Sequence, residues 1–551
     1  MNSVPSNAVE QLRARLAAAL AERDEYRRDL EQAREQLSES ERRLLTTEHQ
    51  LAVLRRAMFG RSSEKVTEED LRQGRLFNEA EEHAESAPDP STEQPEQTPV
   101  RAHSRTKRGR KPIPANLPRV EQIVDIPETE KTCACGHELV RIGEEVHERI
   151  EMIPARYYVR RIVRPKYACH HCEGSADEEK PAVRIAQAVG SVIPKGIAGD
   201  TLLALIIVTK YCDAMPLYRQ ERSFARQGIE ISRADMANWI IAVAAACVHV
   251  LAAMIDEVRA GPVVGADESV LQVLKEKDRS AESESRMWVF RGGRDADRPV
   301  VWFRYEPTRS SEVVLDALHS FTGILQSDGF GAYMTAVAKL AIRHAGCWAH
   351  VRRKFYELSV GKHPSPAALE ALAMIQKLYR VEKDLREQEP PLSEQEFVVQ
   401  RREQATPILD AFNKWLDKQQ RQVVPTSTLG QAVAYAASMW PILSTYLESA
   451  RLTPDNNPVE REIRPYVIGR RNWLFSDTAK GAEASATLYS ILRTAISNGH
   501  DPYRYMYHLL YSLPRTAPAD QHRLAPHVIS PEETMNPFDA APSALTGVGA
   551  K

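Results

Sequence analysis

Apolar positions recur every seven residues near the start of the chain. Leu30, Leu37, Leu44 and Leu51 lie seven apart, with Glu, Arg and Gln between them. Alternating steps of three and four from Leu16 also pass Ala19, Tyr26, Ala33 and Leu54. Helix breakers are few over 8–57, so this segment predicts a helix with a coiled-coil seam. Arg23, Ser40 and Thr47 interrupt the seam and make the pairing modest in strength. A single amphipathic helix folded back on its own domain fits the same pattern; self-association is the preferred reading.

The period changes past residue 190. Leu202 to Val208 is apolar, Met215-Pro-Leu-Tyr is a bend, and Arg219 to Gln227 is a polar helix. Gly228 precedes Ile229-Glu-Ile-Ser232, where Ser232 caps a helix that starts at Arg233. Helix, glycine-containing turn and capped helix is a helix-turn-helix layout, which assigns 190–257 to a helical DNA-binding module; any αα-hairpin looks similar. The longest apolar run, Ile240 to Ile255, is 16 residues and carries His249. A bilayer span needs ~20, so the run predicts a buried helix and no membrane partner.

After Gly261-Pro262 the pattern is that of strands. Val263-Val-Gly-Ala-Asp267 is an apolar strand that delivers a carboxylate near its end. Met287 to Arg291 and Pro299 to Tyr305 are further strands, and Ser311 to Phe321 a helix. Gly323-Ile-Leu-Gln-Ser-Asp328-Gly repeats the device of strand, Asp and turn glycine. Three strands, a helix and a fourth strand, with Asp on the first and fourth, is the order of a ribonuclease-H-like fold, which sets those two strands side by side. Each Asp alone is weak evidence, since strand ends often carry Asp for turn reasons. A third acid, Glu460, starts a helix in Asp455-Asn-Asn-Pro-Val-Glu460-Arg461-Glu-Ile-Arg464. Three such acids can gather two divalent cations for phosphoryl transfer, and the nearby arginines suit a phosphodiester. The plain alternative is a helix-N-terminal acid favoured by the dipole.

Composition changes this picture in two places. The 551 residues suggest about three to five domains. Lys+Arg is 73 against Asp+Glu 75, a net charge of -2 that hides opposite blocks. Residues 78–99 hold seven acids, four prolines and no Lys or Arg, the mark of a disordered linker. A basic run follows at 101–111, with Arg105, Lys107, Arg108, Arg110 and Lys111. Together, 66–115 reads as acidic linker and flexible basic arm; such arms contact phosphates and enter minor grooves. The N-terminus has no signal-peptide layout, so the expected location is cytoplasmic.

Seven cysteines are too few for a disulfide scaffold. Cys133 and Cys135 precede Cys169 and Cys172, two pairs that resemble a zinc ribbon over 120–180. The first pair is C-x-C, not C-x-x-C, and His137, His170 or His171 can substitute as a ligand. Between the pairs, Ala155 to Lys166 interleaves five basic residues, Arg160 and Arg161 among them, with Tyr157 and Tyr158, a nucleic-acid surface on alternating strand faces. Cys212, Cys247 and Cys347 sit in apolar or aromatic surroundings that predict buried free thiols.

These motifs resemble the insertion-sequence-66 family of bacterial transposases, members of the Asp-Asp-Glu transposases. The likeness runs from the leucine-rich start through Met58-Phe-Gly-Arg-Ser-Ser-Glu-Lys65 to about Leu513. Its most specific stretches are Lys210-Tyr-Cys-Asp-Ala-Met-Pro-Leu-Tyr-Arg-Gln220, Gly346-Cys-Trp-Ala-His-Val-Arg-Arg-Lys-Phe355, Asp455-Asn-Asn-Pro-Val-Glu-Arg461 and Gly469-Arg-Arg-Asn-Trp-Leu-Phe475.

The resemblance implies that Asp267, Asp328 and Glu460 bind Mg2+ (or Mn2+) and that Cys133 to Cys172 is a Zn2+ module; Glu483 is the rival third acid. It implies that Cys347 and His350 buttress the core while Arg352, Arg353 and Lys354 face DNA. The expected fold is multidomain α/β. A ribonuclease-H-like core at 260–350 and 453–513 is interrupted by a helical insertion at 351–452. Coiled coil, zinc-ribbon-like module and helix-turn-helix-like module precede it, and a mobile tail follows over 517–551. The expected activity is cleavage and transfer of DNA strands at transposon ends. Its partners are end and target DNA, a second copy in a homodimer or larger synaptic assembly, and accessory proteins of the same element. When DNA-bound it would be associated with the bacterial nucleoid. The alternative is a non-catalytic, dimeric DNA-binding regulator descended from such an enzyme.

Overall fold

The computed structural model describes residues 157–168, 183–188, 190–194, 196–360 and 364–536. The coiled coil at 8–57, the linker and arm at 66–115 with Arg105, Lys107, Arg108, Arg110 and Lys111, and the zinc ligands Cys133, Cys135, Cys169 and Cys172 lie outside them. The chain divides into two compact units, Pro88–Val189 and the remainder.

In the smaller unit β1 (Lys166–Ala168) pairs antiparallel with β2 (Val183–Ile185), Tyr167 opposite Arg184. The strand predicted from Ala155 is shorter than expected: 157–165 has no partner strand among the described residues and is irregular. Arg160 and Arg161 are exposed there, and Arg164 Nε donates to the Ala186 carbonyl at 2.8 Å.

Among the described residues of the larger unit, four helices come first: α1 (Asp200–Tyr211), α2 (Leu217–Ala225), α3 (Arg233–Ala246) and α4 (Val248–Ala260). Ser232 caps α3 by accepting the Asp235 N–H at 3.1 Å. The apolar run from Ile240 is two helices bent by 57° at Cys247, not one, and no single described helix is long and apolar enough to cross a membrane.

A six-stranded sheet follows, built from β3 (Val263–Lys275), β4 (Glu284–Gly292), β5 (Val300–Glu306), β6 (Ile324–Gln326), β7 (Arg343–Ala345) and β8 (Ser476–Thr478). The order is β5-β4-β3-β6-β7, with β8 beside the far end of β3. The first three strands are antiparallel; β6 runs parallel to β3, and β7 to β6. Helices α5 (Ser311–Ala317) and α6 (Gly331–Leu340) make the crossovers on either side of β6. Met287, Trp288, Val289 and Phe290 are all buried, so β4 is covered on both faces.

Four helices come next: α7 (Trp348–Ser359), α8 (Pro366–Arg386), α9 (Glu394–Gln422) and α10 (Thr428–Leu443). They enclose a second core around Trp348, Phe355, Phe412 and Trp415. The chain returns to the sheet through α11 (Asn457–Trp473), α12 (Ala479–Ser497) and α13 (Pro502–Ser512). Strand β5 is an edge, whose bare amides invite pairing. Two hydroxyls one turn apart on α12 cover it: Thr494 accepts the Val301 N–H at 2.9 Å and Ser490 the Phe303 N–H at 2.8 Å.

Two expectations need correction. The helices at 190–257 do not form a separate module: Leu203, Ile206, Met236 and Ile240 join the sheet in one hydrophobic core with α12 and α13. Their apolar faces match those late helices, which the local pattern does not reveal. The tail is not mobile from Ala517. A 3₁₀ helix at Pro518–Leu524 packs on α4, with Leu524 and Ala525 buried. Those apolar residues offset the Pro- and Ala-rich composition that suggested disorder.

Candidate active site

The parallel register of β3 and β6 sets the first two acids level. Gly265 pairs with Gln326, and two residues further along each strand stand Asp267 and Asp328. Past β6 the chain turns sharply, and Asp328 accepts the Phe330 N–H at 3.0 Å. Gly329 suits this turn because a Cβ there would collide with Met439 of α10.

The third acid arrives from 132 positions downstream, in the first turn of α11. The start of that helix is stitched down at several points. The Asn456 side-chain amide donates to the Ala266 carbonyl at 2.9 Å, and its N–H donates to Cys347 Sγ at 3.3 Å. The Trp348 N–H donates to the Pro454 carbonyl at 2.9 Å. Buried Asp455 accepts from Asn457 at 3.0 and 3.1 Å and from the Tyr379 hydroxyl of α8, so the helical insertion helps hold this turn. Gly265 lets α11 lie directly on β3, since a Cβ there would strike the Val459 side chain.

These contacts place the three carboxyls within one another's electric field. Burial pushes Asp267 well above the carboxylate range, and the charges of Glu268, Glu460 and Asp328 push it further. Glu460 is raised to about 8, first by burial, then by Asp455 and Asp328, while Arg353 pulls it back. Glu460 is only 4% exposed, and its Oε1 is buried with no hydrogen-bond partner. Such an arrangement favours a bound proton or cation. Glu483, the rival, is exposed on α12.

Sequence reasoning missed three neighbours. Glu268, next to Asp267, is buried and pairs with Arg309 Nε at 2.6 Å and with the Tyr333 hydroxyl. The Arg309 guanidinium lies 3.6 Å over the Phe330 ring. Asp455 is the third; its adjacency to Asn457 in the motif was the available signal, whereas nothing local links Glu268 to Arg309. Cys347 and His350, expected from the resemblance to buttress the core, have a third potential donor beside them. Cys347 Sγ, a His350 ring nitrogen and a Glu460 oxygen all lie within 4.8 Å of one another. Burial pushes the Cys347 thiol up and the His350 imidazole down. Cys347 and Cys247 are buried free thiols; Cys212 is partly buried.

The basic residues are more scattered. Arg353 on α7 reaches Glu357 at 3.3 Å and acts electrostatically on Glu460. Arg352 lies 5.5 Å over the Tyr356 ring. On α11, Arg461 is exposed and Arg464 half-buried.

Residues 195–484 match the model described as "Transposase IS66 family". Residues 130–173 match "zinc-finger binding domain of transposase IS66", and 47–121 match "Transposase C of IS166 homeodomain". "Uncharacterized protein y4qI" of Sinorhizobium fredii is 33% identical over 456 residues, covering 80% of this chain and 79% of that protein. "Uncharacterized protein y4jD" of the same organism is 29% identical over 491 residues, 86% of this chain and 92% of the other. With the central match spanning more than half of its length, the chain belongs to the IS66 transposase family.

Proposed function

We propose that this DNA-processing enzyme binds the ends of its insertion sequence, cleaves a strand there and joins the freed 3′-hydroxyl to target DNA. The reading assigns the chemistry to Asp267, Asp328 and Glu460 on a ribonuclease-H-like core, with 351–452 as a helical insertion. The observation that carries it is that carboxyls from β3, the turn after β6 and the start of α11 act electrostatically on one another: the charges of Glu460 and Asp328 raise Asp267, and Asp328 raises Glu460. The sheet order, three antiparallel strands continued by parallel β6 after a crossover helix, supports the core.

The residues suit a divalent cation: Asp267 feels the like charges of Glu460 and Asp328, and Glu460 Oε1 is an orphaned buried acceptor. Asp267, Asp328 and Glu460 would hold Mg2+ (or Mn2+), which when bound supplies activation of a water or sugar hydroxyl and charge neutralisation at the leaving oxygen. The chain's own parts do the positioning. Asn456 clamps α11 to β3, and Arg309 with Tyr333 neutralises Glu268 so that it does not compete for the same cation. Arg461 and Arg464 extend from the same helix as Glu460 and suit phosphate contacts. Arg160, Arg161 and the basic arm supply further phosphate contacts in this reading. The zinc-finger match supports Zn2+ at Cys133, Cys135, Cys169 and Cys172. A coiled coil at 8–57 would pair two copies for synapsis, in the bacterial cytoplasm at the nucleoid.

The test is Mg2+-dependent nicking of a plasmid carrying the DNA that flanks this gene, with binding measured in parallel. Wild type should nick near the gene's ends; Asp267→Asn, Asp328→Asn and Glu460→Gln should bind without cutting. Equal cutting by Asp267→Asn overturns the acid assignment. Binding without cutting by every form, wild type included, favours the regulator reading.

A further inference from the structure

We propose that Cys347, His350 and Glu460 form a site for a soft divalent cation of the zinc class, distinct in ligand type from the all-carboxylate set. The site shares Glu460 with the proposed acid cluster but needs no DNA cleavage to exist.

Its donors come from two helix starts. Cys347 is the N-cap of α7, and His350, three residues on, lies in its first turn; Glu460 lies in the first turn of α11. The spacing of three puts Cys347 and His350 on one side of α7. The three donor atoms lie within 4.8 Å of one another. A tetrahedral ion with bonds of ~2.0–2.3 Å wants ligand atoms about 3.5 Å apart, an inward adjustment of at most about 1.3 Å. Glu460 Oε1 and His350 Nδ1 are both buried without a hydrogen-bond partner. Native structures rarely leave such atoms unsatisfied, and two of them in one ligand-sized cluster point to something that binds there. Sulfur, imidazole nitrogen and one carboxylate oxygen is a zinc donor set, whereas Mg2+ takes oxygen. Three protein ligands leave a fourth position open. Asp328 acts on both His350 and Glu460, adding negative charge beside the centre. The two helix N-termini oppose a cation, a small effect beside thiolate coordination. Occupancy would tie the loop after β7 to the turn that carries Glu460.

The experiment strips the full-length chain with a chelator, reloads it with Zn2+, desalts it and counts zinc per chain. Cys347→Ser and His350→Ala should each hold one zinc fewer than wild type, while Asp267→Asn should match wild type. With Co2+ instead, both should lose part of the near-ultraviolet thiolate-to-cobalt absorption, and Cys133→Ser should lose a different part. Melting in chelator checks the fold, and added Zn2+ should raise the Tm of wild type more than that of either variant. Zinc content and cobalt spectra equal to wild type in both variants overturn the proposal. So does loss of the same zinc from Asp267→Asn, which would assign the ion to the carboxylate cluster. No step involves DNA, so failure here and failure of the nicking experiment are separate results.

Discussion

Replacing Glu460 with Gln should make the metal-free protein less sensitive to alkaline pH. In the fold Glu460 is raised from 4.5 to about 8 by burial and by Asp455 and Asp328. A folded-state value above the unfolded one means that the folded chain holds the proton more tightly. That contribution is fully present below about pH 4.5 and is lost as pH rises through about 8. The interval is about 3.5 units, and at ~1.36 kcal/mol per unit it bounds the loss at about 5 kcal/mol. Asp267 shifts in the same direction and shares the effect. Gln keeps the volume of Glu460 and does not ionise, so this part of the slope disappears. The assay is urea unfolding in EDTA from about pH 5 to about pH 9 for wild type and Glu460→Gln. Wild type should weaken steadily across the range, and the variant should decline less, by about 1–5 kcal/mol at the alkaline end. Mg2+ added at alkaline pH should restore wild type more than the variant. Parallel curves, or equal rescue of both by Mg2+, would refute the electrostatic reasoning.

Two further perturbations test how the third acid is held. Arg401 in α9 is fully buried, pairs with Glu382 at 2.8 Å, and donates to the carbonyls of Tyr446, Ser449 and Leu452; Arg401→Met should cost about 2–6 kcal/mol in chemical unfolding by leaving the buried Tyr446 and Ser449 carbonyls without their donor, while Arg386 stays paired with Glu382. Gly265→Ala should cost about 1–3 kcal/mol by pressing on Val459 and should reduce nicking, with partial recovery of both in Gly265→Ala/Val459→Ala.

Much of the secondary structure was legible. Within the expected helical stretch at 351–452, Pro366–Arg386 is one helix, which Ser365 caps and Pro366 opens. The strands at Met287 and Pro299 appear as β4 and β5: β4 starts three residues earlier and ends one later than predicted, and β5 is shifted by one residue. Strand β3 runs on to Lys275, far past the predicted Asp267, because β4 pairs with it as far as Gln272. Strands β7 and β8 were not anticipated: at three residues each, they exist because β6 and β3 offer them an edge.

Features set by neighbours a few positions apart were therefore written in the chain: caps, periodicity, and the turn acid Asp328 just past β6. The sequence alone also yielded the order of the motifs, and with it the family. What depended on the folded molecule was everything that joins distant segments. Asp267 and Asp328 align through a parallel register, and Glu460 joins them because Asn456 and Gly265 let α11 rest on β3. The Arg309–Glu268 pair and the gathering of Cys347, His350 and Glu460 have the same origin. Local pattern reports what each segment buries, while only packing chooses the surface against which it is buried. That choice separated Glu460 from Glu483, since Glu460 opens a helix that lies on the sheet while Glu483 is exposed further along its own helix.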